Sequence, residues 1–203
     1  MVRGLDKGQK VALLVNEAQV GVMDPAYSIF PALAQQVEAR GIVPRIAALM
    51  DQFRARGLPI FHLPVVHRPD FADVTPNSLI SGVTLKGRRM AAGSIEADYI
   101  DILRPGPTDY VVSRSSGFIA FLETSLDATL RRLGVQTVVL TGVSVNVALP
   151  GNTMAAVDLG YQVVIPEDCV AGTDPAVHRT LVDNQLRVLA TISTSEEVTA
   201  ALG

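Results

Sequence analysis

Apolar residues fall along this chain in short runs of strand length, and between the runs they recur at helical spacing. Residues 11–16, VALLVN, are almost unbroken in apolar character, as a central parallel strand covered on both faces requires. In residues 43–56, Ile46, Leu49, Met50 and Phe53 share one helical face. Pro44 sits near the first turn of that helix, where a missing N–H costs little, and Gly57 ends it. Further strands are predicted over 59–65, 110–113, 137–142 and 161–166, with a short last one over 190–193. Helices are predicted over 125–133, 147–159 and 175–189, and another from Ser195. There Thr194 and Glu197 have the spacing of a capping box. Residues 66–107 interrupt the alternation with little periodicity and many Gly, Pro and Arg. They read as a long excursion over the active-site side, and loops this long are usually functional or interface elements. Strand and helix in alternation predict an α/β fold: a doubly wound, mainly parallel six-stranded sheet with helices on both faces. Ligands are then expected beyond the carboxyl ends of the strands. No internal repeat or second unit is visible, so residues 1–203 read as one domain.

Composition narrows the partners. A chain of 203 residues with 48% hydrophobic content and a mean hydropathy of +0.32 has enough apolar material for a sizeable core. Its longest apolar stretch, 135–147, is broken by polar residues well short of a membrane span. The first ten residues are polar and lead straight into a strand, unlike a signal peptide. One cysteine excludes an internal disulfide and suits a reducing, cytoplasmic setting. A net charge of −3 and the absence of tryptophan argue against a nucleic-acid surface. The basic cluster Lys86, Arg88, Arg89 is too short to change that. The expected partner is a small molecule. Leu79, Ile80, Val83 and Leu85 would be costly to leave exposed together, so a homodimer or larger homo-oligomer is expected to bury part of the excursion.

Candidate chemistry lies in four segments: KVALLVNEAQVGVMDP at the N-terminus; DYVVSRSSGFIAFLETSLDATLRRLGVQTVVLTGV in the middle; VVLTGVSVNVALPGNTMAAVDLG after it; and NTMAAVDLGYQVVIPEDCVAG at the end. In order and at compatible spacings they resemble the isochorismatase-like family, also called the cysteine hydrolases, over nearly the whole chain. The resemblance implies the three-layer fold of that family and a small-molecule hydrolase, with no cofactor. It places Glu17 where the family carries an acidic general base, and Gln19 at the glutamine of the Asp-x-Gln signature. The family's catalytic lysine falls on Ser115 when counted back from Phe121, or on Arg114 if one residue is inserted. The nucleophilic cysteine at the start of the helix over 147–159 falls on Ala148. The resemblance also implies a cis peptide before Ser144, with the backbone amides of Ser144 and Ala148 directed at a substrate carbonyl.

Each departure has chemical consequences. Glutamate at 17 keeps the carboxyl group but displaces its oxygens by about 1 Å or more, which in a tuned site costs about 100-fold. Arg114 supplies a permanent charge beside Glu17, holds a carboxylate or a substrate oxyanion, and cannot shuttle a proton. Alanine offers no nucleophile, whereas an oxyanion site made of backbone amides survives its presence. Among possible replacements, Cys169 reads as a small buried hydrophobe. Ser115 and Ser116 lack an assured base. His62 alternates with Phe61 and Leu63 as a core histidine does, and His67, just past its strand, is the better pocket residue. The Asp-x-His zinc motif of the nicotinamidase branch is absent. Only Asp70 stands near His62 and His67, so no metal site is expected.

The resemblance leaves two functions open. One is hydrolysis without a covalent intermediate, of a vinyl ether, an amide or a related bond. The isochorismatases proper also lack the cysteine and protonate a vinyl ether with the acid residue. The other is a degenerate member that binds a small molecule or serves as a structural or regulatory subunit. Glu17 and Arg114 are the catalytic candidates; Gln19, His67, Ser115, Ser144 and Ala148 are the substrate-binding ones.

Overall fold

The run of apolar residues near the N-terminus forms β1 (Val11–Asn16), and all six of its residues are buried. The computed structural model describes residues 2–203; Met1, first residue of the polar opening and of the single unit expected above, lies outside the described residues. After β1 come α1 (Val20–Met23), α2 (Pro31–Arg40), α3 (Ile42–Ala55), β2 (Ile60–Leu63), α4 (Leu79–Gly87), β3 (Tyr110–Val111) and α5 (Leu126–Leu133). The rest of the chain gives β4 (Thr137–Val143), α6 (Ala148–Asp158), β5 (Gln162–Pro166), β6 (Val170–Ala171), α7 (Pro175–Leu181), α8 (Arg187–Leu189), β7 (Thr191–Ser193) and α9 (Ser195–Ala201).

Every strand pairing is parallel. The order across the sheet is β3-β2-β1-β4-β5-β7, with the two-residue β6 added beside β4. The six expected strands thus form the continuous path, and β6 is a seventh that is too short to leave a periodic signal. Alternation along β1 explains its apolar character. Val11, Leu13 and Val15 enter one core with Leu33, Ile46, Leu49 and Phe53 of α2 and α3. Ala12 and Leu14 enter the other, with Leu126 and Leu130 of α5 and Leu149 of α6. Both faces of the strand are therefore covered, and a polar residue on either needs a hydrogen-bond partner.

Several local expectations are met and some are refined. Thr194 and Glu197 cap α9 reciprocally: the Glu197 amide donates to Thr194 Oγ1 at 3.2 Å, and the Thr194 amide donates to Glu197 Oε2 at 3.0 Å. The helix expected over 175–189 is continuous but passes through a π-turn, Val182–Leu186, between α7 and α8. The excursion between β2 and β3 holds α4, opened by a Ser78–Ser81 capping box. Its pattern is unreadable because α4 has two apolar sides. Ile80 faces a cavity, whereas Leu79 is 85% exposed. A helix with no single apolar stripe leaves no single period in the sequence. Isolated bridges, Gln19 to Tyr99 and His67 to Ala91, fasten the excursion over the carboxyl ends of β1 and β2.

Candidate active site

β1 is paired with β2 on one side and β4 on the other, so the chain order reverses beside it. Its carboxyl end is the switch point of the sheet, where the crevice of a doubly wound fold opens. Glu17 is the first residue beyond that end. Its φ of 51° is left-handed, a costly conformation for a residue with a side chain. That backbone turn carries the carboxyl group toward Arg114, which follows β3, and an Arg114 Nη2 to Glu17 Oε1 ion pair results.

Arg114 is almost wholly enclosed, and each of its three side-chain nitrogens makes a hydrogen bond. Its Nε donates to the Gly117 carbonyl and its Nη1 to the Leu63 carbonyl, each at 3.2 Å. It joins the ends of β1, β2 and β3. Burial raises the pKa of Glu17 above the ordinary carboxylate value, although the Arg114 charge and hydrogen bond act to lower it. The result is a partly buried carboxyl group, fixed in position, whose acid form is favoured relative to that of an exposed glutamate.

A cavity of about 340 Å³ opens beside this group. Glu17, Val65 and His67 line it from the strand ends, and Ser116, Gly117 and Phe118 from the loop after β3. Val22, Ile29 and Phe30 close one side, and Val74, Thr75, Asn77, Ile80, Ser81, Thr84 and Met90 from the excursion form the cover. His67 is buried, with its Nδ1 bonded to the Ser115 carbonyl. A carbonyl only accepts, so Nδ1 carries the proton, and Nε2 of the neutral ring is left as an acceptor. Most of these lining residues carried no motif in the sequence. The excursion contributes them through folding, and only its length pointed to them.

The other candidates occupy different places. Gln19 is fully buried and spends its side chain on backbone: it accepts from the Val65 amide at 2.8 Å and donates to the Val65 and Ala97 carbonyls, each at 2.9 Å. It holds the excursion to the sheet. Ser115 is exposed and contributes its carbonyl to His67. The Val143–Ser144 peptide is cis, as the resemblance implied, and Ala148 is the buried first residue of α6. Neither Ser144 nor Ala148 lines the cavity. Among the described residues their backbone amides donate no hydrogen bond within the protein.

Beneath Glu17 lies a polar connection that the sequence did not disclose. Asn16, fully buried, donates to the Val143 carbonyl and accepts from Asn152 of α6 at 3.4 Å. Asn152 in turn accepts from the Ala120 amide at 2.7 Å. This chain links β1, β4, α6 and the loop after β3. His62 lies elsewhere, its Nε2 3.1 Å from Asp109 Oδ2. Asp70 is exposed and paired with Arg68. Among the described residues no group of three or more His, Cys, Asp or Glu side chains is arranged to hold a metal. Cys169 is buried, and burial pushes its thiol up to about 12, where it holds little thiolate.

Comparison with known proteins accords with this fold. Residues 11–197 match the model of the isochorismatase domain family. The chain is 28% identical over 188 residues to the isochorismatase family protein YecD of Escherichia coli O157:H7, covering 89% of this chain and 94% of that one. An isochorismatase family protein from Desulfovibrio vulgaris superposes with a TM-score of 0.84 at 26% identity, over 96% of this chain and 99% of the other. N-carbamoylsarcosine amidase from Thermoplasma acidophilum gives 0.73 at 27% identity, over 93% and 98%. With nearly its whole length matched by the domain, the chain belongs to the isochorismatase family of hydrolases.

Proposed function

We propose that this protein hydrolyses a small molecule by proton transfer through Glu17, without a covalent enzyme intermediate. The observation that carries the reading is the Glu17 carboxyl group, partly buried at the cavity wall, oriented by Arg114 and shifted toward its acid form by desolvation. A general acid must hold its proton at the working pH, and burial shifts Glu17 in that direction. Arg114 bonds two carbonyls and Glu17 and keeps its charge at any working pH, so it positions the acid and transfers no proton itself. In the proposed cycle Glu17 protonates the substrate, water adds to the activated carbon and returns one proton to Glu17, and the adduct collapses as the alcohol or amine departs with the other water proton. The bond broken is that of a vinyl ether, an amide or a related group. Ala148 leaves no side chain for an acyl adduct, and the Cys169 thiol is buried outside the cavity wall. The protein acts, in this reading, on a small molecule as a homo-oligomer.

The second reading, a binder that has lost its chemistry, draws on the same Arg114 geometry, which leaves Glu17 without a second proton carrier. Turnover of amides, carbamates and vinyl ethers, followed by mass spectrometry, separates the two. Wild-type turnover that survives thiol alkylation and drops in Glu17→Gln supports hydrolysis. Ligand binding with no turnover in wild type supports the binder, and a substrate-derived mass adduct on Cys169 overturns the non-covalent scheme.

A further inference from the structure

Two buried asparagines interrupt the apolar packing beneath Glu17. Asn16 is the last residue of β1 and Asn152 lies in α6, and neither is exposed. Burying an amide group is costly unless its polar atoms find partners. Here the partners fix which way each amide points.

The Ala120 N–H only donates, so Asn152 presents Oδ1 to it, at 2.7 Å. Asn152 Nδ2 is then left facing Asn16 Oδ1, at 3.4 Å. The Val143 carbonyl only accepts, so Asn16 presents Nδ2 to it. Donors therefore run in one sense, from the loop after β3 through α6 to the end of β1. Hydrogen bonds aligned in this way reinforce one another. Asn16 Nδ2 carries a second proton, which it shares with the Glu17 carboxyl group, and that donor favours the ionised form.

Arg114 by itself leaves Glu17 one freedom. Its Nη2 bonds a single oxygen, Oε1, and a carboxyl group held at one oxygen can still turn about its last torsion, which is broad. A second donor removes that freedom. The same connection holds the cavity wall. The loop bearing Ser116, Gly117 and Phe118 is bonded at Ser115 by His67, at Gly117 by Arg114 and at Ala120 by Asn152. Among the described residues, the charged and titratable groups around Glu17 are Arg114, from the segment after β3, and His67, from the segment after β2. The two asparagines carry no charge, so they act on Glu17 by hydrogen bonding alone.

We infer that Asn16 and Asn152 are positioning residues for Glu17: Asn16 gives the carboxyl group a second support beside Arg114, and Asn152 acts on it through Asn16. Asn152 itself bonds only Ala120 and Asn16. The inference rests on the reading of Glu17 as the acid of the site. It gives α6 a part in that site although no residue of α6 lines the cavity.

Carbon-13 NMR of the Glu17 side-chain carboxyl, identified by its loss in Glu17→Gln, tests this on the full chain between about pH 4 and 9. Removing a donor to the ionised form raises the midpoint of the titration. Asn16→Leu should raise it by at least about half a pH unit, and Asn152→Leu by about 0.2 or more. The double variant separates a shared route from general loosening: Asn152→Leu should add nothing once residue 16 can no longer pass the effect on. A midpoint unmoved or lowered in Asn16→Leu overturns the inference. An unmoved midpoint in Asn152→Leu, or shifts that add in the double variant, overturns the route through Asn16. Where leucine prevents folding, Asn16→Ser and Asn152→Ser give the same comparison, since a serine hydroxyl sits one atom short of the asparagine amide. The hydrolase reading fails separately. A wild-type protein that turns over none of the amides, carbamates and vinyl ethers removes that reading, and the midpoint still decides this one. Turnover with an unmoved midpoint does the reverse.

Discussion

At the scale of single residues, the site depends on one carboxyl group held by one guanidinium. Burial raises the Glu17 pKa above its ordinary value of 4.5, so the acid form persists at higher pH than in water. If that form protonates the substrate, kcat/KM stays level at low pH and falls as pH rises through the raised value. Glu17→Gln should lower it by about 100-fold or more, since it keeps the shape and removes the proton. A rate that climbs with pH across that range would show Glu17 acting as a base instead. Arg114 has a different signature. Arg114→Ala leaves a buried carboxyl group unpaired and two carbonyls without donors, which should cost about 3 kcal/mol in denaturant unfolding. Arg114→Lys restores one charge but not the planar set of donors, so stability should recover only in part. An Arg114→Ala protein as stable as wild type would remove the anchoring role. Glu17 and Arg114, 97 positions apart, were legible because the segments around them resemble a family in order. Asn16 and Asn152 were not. Each looks like an ordinary polar residue at the edge of an apolar run, and only the approach of β1 to α6 makes them partners. The same holds for His62 and Asp109, a buried pair joined across neighbouring strands.

At the scale of elements, the close approach of β1 and β4 sets the switch point, and Gly142 permits it. Its φ is +93°, and a Cβ built there would lie 2.1 Å from the Asn16 carbonyl oxygen. Neither carbonyl nor strand can withdraw without breaking the Asn16–Gly142 register. Gly142→Ala should therefore destabilise by about 3 kcal/mol or more, or prevent folding, combining backbone strain with a backbone clash. Soluble protein with an unchanged melting temperature would contradict this. Elements were legible wherever one face or both faces of a strand or helix had a uniform demand. β1 was readable residue for residue because both of its faces are dry. α3 was readable to within a residue because its buried positions share one stripe. α2, which begins at Pro31, and α4 escaped for physical reasons. The Pro31 helix buries only Leu33, Ala34 and Val37, and α4 divides its apolar residues between cavity and exterior. The π-turn between α7 and α8 changes the period within a helix, which no fixed spacing anticipates.

At the scale of the whole molecule, two enclosed histidines tie stability to pH. Burial lowers the pKa of both His62 and His178 from the ordinary 6.5. Below that value the unfolded chain binds protons that the folded chain does not, so stability falls as pH drops through 6.5 toward the lowered folded values. The melting temperature should decline over this window, and less steeply in His178→Phe, which removes one of the two proton sites. A variant slope equal to that of wild type would exclude His178 as a contributor. Assembly is the remaining demand. Leu79 is 85% exposed and Val83 46% exposed on α4, while Ile80 and Thr84 of the same helix line the cavity. A helix committed on one side to the cavity and bare on the other is most stable with its outer side covered, since burying a leucine contributes about 2 kcal/mol. A homodimer or larger assembly is expected, with a light-scattering mass of at least twice 21.6 kDa at micromolar concentration. A mass near 21.6 kDa counts against it. If α4 joins the two tasks, Leu79→Glu should both release protomers and weaken small-molecule binding in the cavity, because the helix that loses its outer support also forms the cavity cover. Release of protomers with binding unchanged would show that α4 is held in place by the cavity side alone.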